Sequence, residues 1–173
     1  MKTKPLNAAF LTGENMTEAK KQNRRYEREL ALRAVFQIEF HQDARDLQKG
    51  IAAVIDSDAG FEHDHGSGGY AAYLVDVVVD HLTAIDERIA QYLRKDWRMD
   101  RLPGAEKAIL RVATAEMCYL DQPLEIAINE AVELAKRYCD EDAPRYINGI
   151  LNNLGHHLAV GYSEEVSSYD SGN

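Results

Sequence analysis

Apolar residues recur at three- and four-residue steps along most of this chain, and no segment alternates apolar and polar residues over the length of a strand. From Arg24 onward Leu30, Ala31, Ala34, Val35 and Ile38 form a first helical seam. A second helix is predicted from Arg45 to Ile55. Leu74, Val77, Val78, His81, Leu82, Ile85, Ile89 and Leu93 then form a long seam, which is one helix or two depending on a break near His81 to Thr83. Pro103 and Gly104 punctuate before Ala105, Ala108, Ile109, Val112, Met117 and Leu120, and Pro123 closes that unit. Ile128, Ala131, Val132, Ala135 and Tyr138 line the next helix. Ile147, Ile150, Leu151, Leu154 and Leu158 line the last, with Asp142 and Pro144 as its start signal. Val77 to Val79 is a brief β-branched run, too short to change the expectation of an all-α fold.

The ends lack this periodicity. Residues 1–20 mix Gly, Asn, Thr and charge and are expected to be a flexible arm, residues 21–160 a helical domain, and residues 161–173 a loose acidic tail. Asp56 to Gly69, with four glycines and two histidines, reads as a surface loop. A chain of 173 residues suits one domain that buries its core without staples. Its most apolar stretch, Tyr70 to Val79, is broken by Asp76 and falls short of the roughly 20 residues of a membrane span, so no membrane partner is expected. With no apolar signal segment at the start, the expected location is cytoplasmic. Cys118 and Cys139 form no CxxC motif and read as thiols packed in the core.

Charge changes the picture through its distribution. The net charge is −9, yet Lys20 to Arg33 carries six basic residues against two acids, a local +4 that leaves −13 on the remainder. Such segregation lets one end hold phosphate while the acidic bulk discourages indiscriminate polyanion binding. Lys21, Arg24, Arg25 and Arg28 stand at i, i+3, i+4 and i+7, one face of a helix that reaches Lys21. Guanidinium groups grip phosphate and stack on exposed bases, which suits single-stranded RNA. Taken alone, the run also fits a solvated helix start. Leu32 and Phe36 continue the stripe as apolar surface, either core or partner contact.

Beside the apolar stripe of the last helix fall Asp142, Arg145, Tyr146, Gly149 and Asn153. Tyr146 at the edge can stack on a base while Arg145 meets a phosphate, or it is an ordinary boundary tyrosine. Glu116 falls within an apolar stripe, where an unpaired carboxylate is costly. It is expected to accept hydrogen bonds from free N–H groups after Pro123, or from Asn129. His63, Asp64 and His65, and the adjacent His156 and His157, are poor cation ligands because neighbouring side chains rarely converge on one ion, so no metal or cofactor is expected. Glu130 and Glu133 share a helix surface, not a cleft. Nucleophile-elbow, P-loop, zinc-protease and dinucleotide motifs are lacking, so an enzyme is not expected.

The string Arg24-Arg25-Tyr26-Glu27-Arg28-Glu29-Leu30-Ala31 resembles the arginine-rich opening of the NusB family of transcription antitermination factors. Trp97, Arg101, Glu106 to Arg111, Glu116, Pro123, Ile128 to Lys136, Asp142 and Tyr146 to Leu151 follow the family signature in order and spacing. The resemblance spans roughly residues 24–158. It implies about seven helices in two small bundles forming one domain, and a non-enzymatic factor that binds boxA RNA of ribosomal RNA leaders together with NusE, a small-subunit ribosomal protein, within the RNA polymerase antitermination complex. By position, Arg24, Arg25, Arg28, Asp142 and Tyr146 match RNA-side residues, while Phe36 and Glu106 match the surface facing NusE. Tyr26 interrupts what is often a longer arginine run, and Tyr146 stands where phenylalanine is common. Two other readings belong to different classes: a helical homodimeric scaffold without RNA, and an RNA methyltransferase, which needs a further glycine-rich catalytic domain.

Overall fold

The computed structural model describes residues 13–41, 49, 50, 52, 53 and 69–170, with side chains placed between residues 24 and 160 of that set. Among the described residues there are six α-helices and no strands: α1 (Gly13–Phe36), α2 (Tyr70–Asp80), α3 (Leu82–Ala90), α4 (Gly104–Tyr119), α5 (Leu124–Tyr138) and α6 (Ala143–Asp170). Lys49, Gly50, Ala52 and Ala53 are also helical, within the second helix expected from Arg45 to Ile55. The rest of that helix, and positions 56–68 of the glycine- and histidine-containing segment, lie outside the described residues.

The long seam is two helices. His81 leaves the α-region (φ −112°, ψ 16°) and its ring stacks on Tyr119 at 4.1 Å, which holds the corner between α2 and α3. Leu93 falls in the turns beyond α3, outside any helix. Pro103 and Pro123 precede α4 and α5, positions where the missing N–H of proline costs no intrahelical bond. Two expectations for the ends change: α1 begins at Gly13 and α6 runs to Asp170. Both extensions are mostly polar in sequence, and a reading based on apolar periodicity passes over helix that carries no apolar stripe.

The core is continuous, and α4 runs through it, packed by α1, α2, α3, α5 and α6. Two helix groups, one with α1 to α3 and one with α5 and α6, thus share α4. Every residue from Glu106 to Met117 is buried, so its charged side chains must be paired inside. Arg111 donates from Nε and Nη2 to the two oxygens of Asp86 on α3, both at 2.8 Å, and from Nη1 to Glu39 at 2.8 Å. Lys107 also pairs with Glu39, which lies in the 3-10 turn Gln37–Glu39 after α1. Burial alone would raise the Glu39 carboxyl, but Lys107 and Arg111 outweigh it and hold it below the ordinary range.

Glu27 of α1 caps α2 by accepting the Ala71 N–H at 2.9 Å. A free helix-start donor is thereby satisfied from another helix. On α1, Leu32 is buried together with Leu30, Ala31, Ala34 and Val35, while Arg33 stays exposed, so only a narrow strip of this stretch meets solvent. On α5 the buried set is Ala127, Ile128, Ala131, Leu134 and Ala135; Val132 is only half-buried and Tyr138 is exposed. The stripe is rotated from the expected one because α5 is clasped between α4 and α6. Cys118 and Cys139 are half-buried thiols at the core edge.

Candidate nucleic-acid interface

The basic stripe at the start of the chain is split by the packing of α1. Arg24 is exposed, and its guanidinium carbon stands 3.8 Å from the centroid of the Tyr70 ring, a cation–π contact that fixes the head of a long side chain. Arg25 is also outward, its side chain 62% exposed, with Nε donating to Glu130 on α5 at 2.9 Å. Arg28 does not stand on this surface. It is 4% exposed, and its Nε donates to Glu116 at 2.7 Å. One turn separates Arg24 from Arg28, and that turn carries the helix from solvent to core. Lys21 lies within α1, in register with the stripe; its side chain is outside the described set.

Glu116 is the clamp expected of it, with other partners. It accepts from Arg28 and from the Tyr70 hydroxyl instead of from the start of α5 or Asn129. The long reach of Arg28 across the α1–α4 contact allows this, and seam patterns within single helices do not report it. Burial, then the adjacent Glu116 charge, raises the Tyr70 phenol well above its ordinary value, so Tyr70 stays protonated and donates. One tyrosine therefore serves both sides: its hydroxyl is tied to the buried carboxylate and its face carries Arg24.

The second patch surrounds the start of α6. Tyr146 is half-buried and meets Trp97 edge-to-face, with centroids 4.8 Å apart and planes at 81°. Asp142 and Arg145 are exposed and line a groove with Trp97, Tyr146, Gly149 and Asn153. Glu106, 5% exposed, lies at the base of this groove, and its carboxyl is raised by burial and then by Asp140. Arg98 and Arg101 flank the other side of Trp97 and Tyr146. Apolar seams passed over these residues. The interleaving of Arg94, Lys95, Trp97, Arg98 and Arg101, basic residues around the single tryptophan, was the available signal.

The two residues assigned to a protein partner both lie at the start of α4, in different surroundings. Phe36 is half-buried at the end of α1, 5.1 Å from Phe40 and close against Gly104, where an added Cβ would fall 2.7 Å from its ring. Glu106 belongs to the Tyr146 groove. Phe40, 65% exposed and absent from the seams, is the apolar surface next to Phe36. Helix α5 connects the two polar patches: Arg25 meets Glu130 midway along it, and Asp142 follows the end of the helix at Tyr138. Glu130 and Tyr138 are separated by about 12 Å of helix rise.

Among the described residues no three His, Cys, Asp or Glu side chains gather as a metal site, and no helix is long and apolar enough to cross a membrane. His157 instead places Nδ1 3.0 Å from the Asn153 carbonyl. His63, Asp64 and His65 lie outside the described residues.

The chain matches the NusB family over residues 25–156. The transcription antitermination protein NusB of Staphylococcus carnosus (strain TM300) is 39% identical over 132 residues, covering 76% of this chain and 98% of that protein. Its counterpart in Staphylococcus aureus (strain JH9) is 37% identical over 134 residues, with the same coverages of 76% and 98%. Among solved structures, T. maritima NusB superimposes with a TM-score of 0.64 at 32% identity, covering 77% of this chain and 90% of that one. A chain from the complex of antitermination factors NusB and NusE with dsRNA gives 0.65 at 25% identity, covering 79% and 98%. An all-helical domain with an arginine-bearing first helix and an aromatic groove, matched over three quarters of its length, places this chain in the NusB family of transcription antitermination proteins.

Proposed function

We propose that this protein is a non-enzymatic antitermination factor of the cytoplasm that binds boxA-type RNA of nascent ribosomal RNA leaders together with NusE, as part of the RNA polymerase antitermination complex. Arg24 and Arg25 hold phosphates. Tyr146, braced by Trp97, stacks on a base while Arg145 meets the backbone and Asp142 accepts from base edges. Lys21 extends the basic stripe, and Arg28 acts through Glu116 by fixing the turn from which Arg24 and Arg25 project. Phe36, with Phe40, and Glu106 are the contacts for NusE. The observation that carries the reading is the pair of outward guanidinium groups held in place by Tyr70 and Glu130.

Each partner supplies part of the RNA surface, so the pair binds more tightly than either alone. Titration of a labelled boxA-like RNA, with and without NusE, tests this. Tighter binding with NusE, and a loss of tenfold or more in the Arg24→Ala/Arg25→Ala double variant, is the expected result. RNA affinity that responds to neither change, together with a dimer by light scattering, would favour the homodimeric scaffold.

A further inference from the structure

Between the two patches lies a third group that none of these assignments uses. Glu29 stands one helical turn after Arg25 and, like it, faces α5. Its two carboxylate oxygens receive different donors: Arg137 Nη1 donates to Oε2 at 2.5 Å, and the Tyr138 hydroxyl donates to Oε1. Tyr138 is the last residue of α5, and the Ala143 N–H to Asp140 carbonyl bond closes the tight turn that leads into Asp142 and α6. Arg137 and Tyr138 therefore lie along α5 between Glu130, which meets Arg25, and the turn that leads to the Tyr146 groove.

Resting on the RNA reading above, we propose that Arg137 and Tyr138 form a phosphate-binding subsite that carries single-stranded RNA between the two patches, with Glu29 as its internal competitor. Two donors converging on the two oxygens of one carboxylate present the geometry that the two non-bridging oxygens of a phosphodiester also satisfy. The carboxylate marks where the phosphate goes. The exchange is accessible, because the Arg137 side chain is 63% exposed and Tyr138 is 41% exposed. Exposed ion pairs are held weakly against water, so a polyanion that brings its own phosphates can take these donors from Glu29. The Tyr138 phenol is raised by burial and then by Glu29, and it remains a proton donor at neutral pH.

A purely structural role makes the opposite forecast. There, Arg137 only balances the negative end of the α5 dipole, and Glu29 only ties α1 to α5. The experiment uses the full chain with NusE and a labelled boxA-like RNA over a range of salt. Arg137→Ala is expected to weaken binding about tenfold, as for loss of one charged hydrogen bond, and to reduce the salt slope by about 0.7. Tyr138→Phe should weaken it less, and Glu29→Gln should tighten it severalfold. The urea midpoints of all three variants should stay near that of the wild type.

Unchanged affinity and salt slope in Arg137→Ala, with binding still lost in Arg24→Ala/Arg25→Ala, overturns the subsite and leaves the RNA reading standing. Weaker binding in Glu29→Gln also overturns it. If neither arginine set affects affinity, both fall together.

Discussion

Arg25 and Arg28 are three residues apart on one helix, each donates Nε to a glutamate on another helix, and the two pairs do opposite work. The Arg28–Glu116 pair is sealed, with side chains 5% and 1% exposed, and is joined by the Tyr70 hydroxyl. The Arg25–Glu130 pair is open on the arginine side, at 62%. Inside, each charge has lost its water and depends on its partner, so the pair dictates how α1 crosses α4. Outside, water competes for the arginine and the pair only orients a group that another anion can claim. The same chemistry is a structural fastener in one dielectric and an accessible, exchangeable contact in the other.

The largest effect that sharpens this contrast comes from breaking the sealed pair. Glu116→Ala leaves Arg28 in the core with Glu130, 3.9 Å from its Nη1, as its remaining carboxylate, and is expected to cost about 3–5 kcal/mol in urea denaturation. A loss below about 1 kcal/mol would mean that Arg28 escapes to solvent and that the contrast is overstated. Next comes Gly104→Ala, which drives a methyl group into the Phe36 ring and should cost about 1–3 kcal/mol by the same measurement.

The Glu39 cluster provides a pH test. Its carboxyl is depressed in the fold, so its stabilisation is present above the unfolded value of roughly 4.3 and is lost as pH falls through the folded value. Glu39→Gln should therefore be clearly less stable than the wild type at pH 7, with the gap narrowing toward pH 3. Glu106 runs the other way: with its carboxyl raised, its contribution is present at acid pH and fades as pH rises. The smallest stability effect belongs to the open pair. Arg25→Ala should change unfolding free energy by less than about 1 kcal/mol while weakening RNA binding. An equal loss of stability in Arg25→Ala and Glu116→Ala would erase the distinction between the two regions.

Much of the fold was legible along the chain. Four of the five residues that periodicity marks on α6, Ile147, Ile150, Leu151 and Leu154, are buried, the fifth, Leu158, is half-buried, and the prolines at 103 and 123 stand where helices begin. The candidate site was legible in its residue types. Arg24, Arg25, Arg145 and Tyr146 are surface or boundary residues in the structure, as their spacing implies. Arg28 misled because helical periodicity places it with Arg24, although α4 comes in to cover that part of α1. Tyr138 misled in the opposite sense, read as core and found on the surface beside Glu29.

Local order along the chain was enough for an all-α architecture, because helical period, proline punctuation and charge segregation are properties of neighbours within a few residues. Which arginine stays on the surface and which is sealed, that Tyr70 serves both Glu116 and Arg24, and that Glu29 holds Arg137 and Tyr138 were decided only when the helices packed. Those pairings join residues 46 to 109 positions apart. Whether a charge keeps its water depends on which helix arrives to displace it, and spacing within one helix carries no record of that.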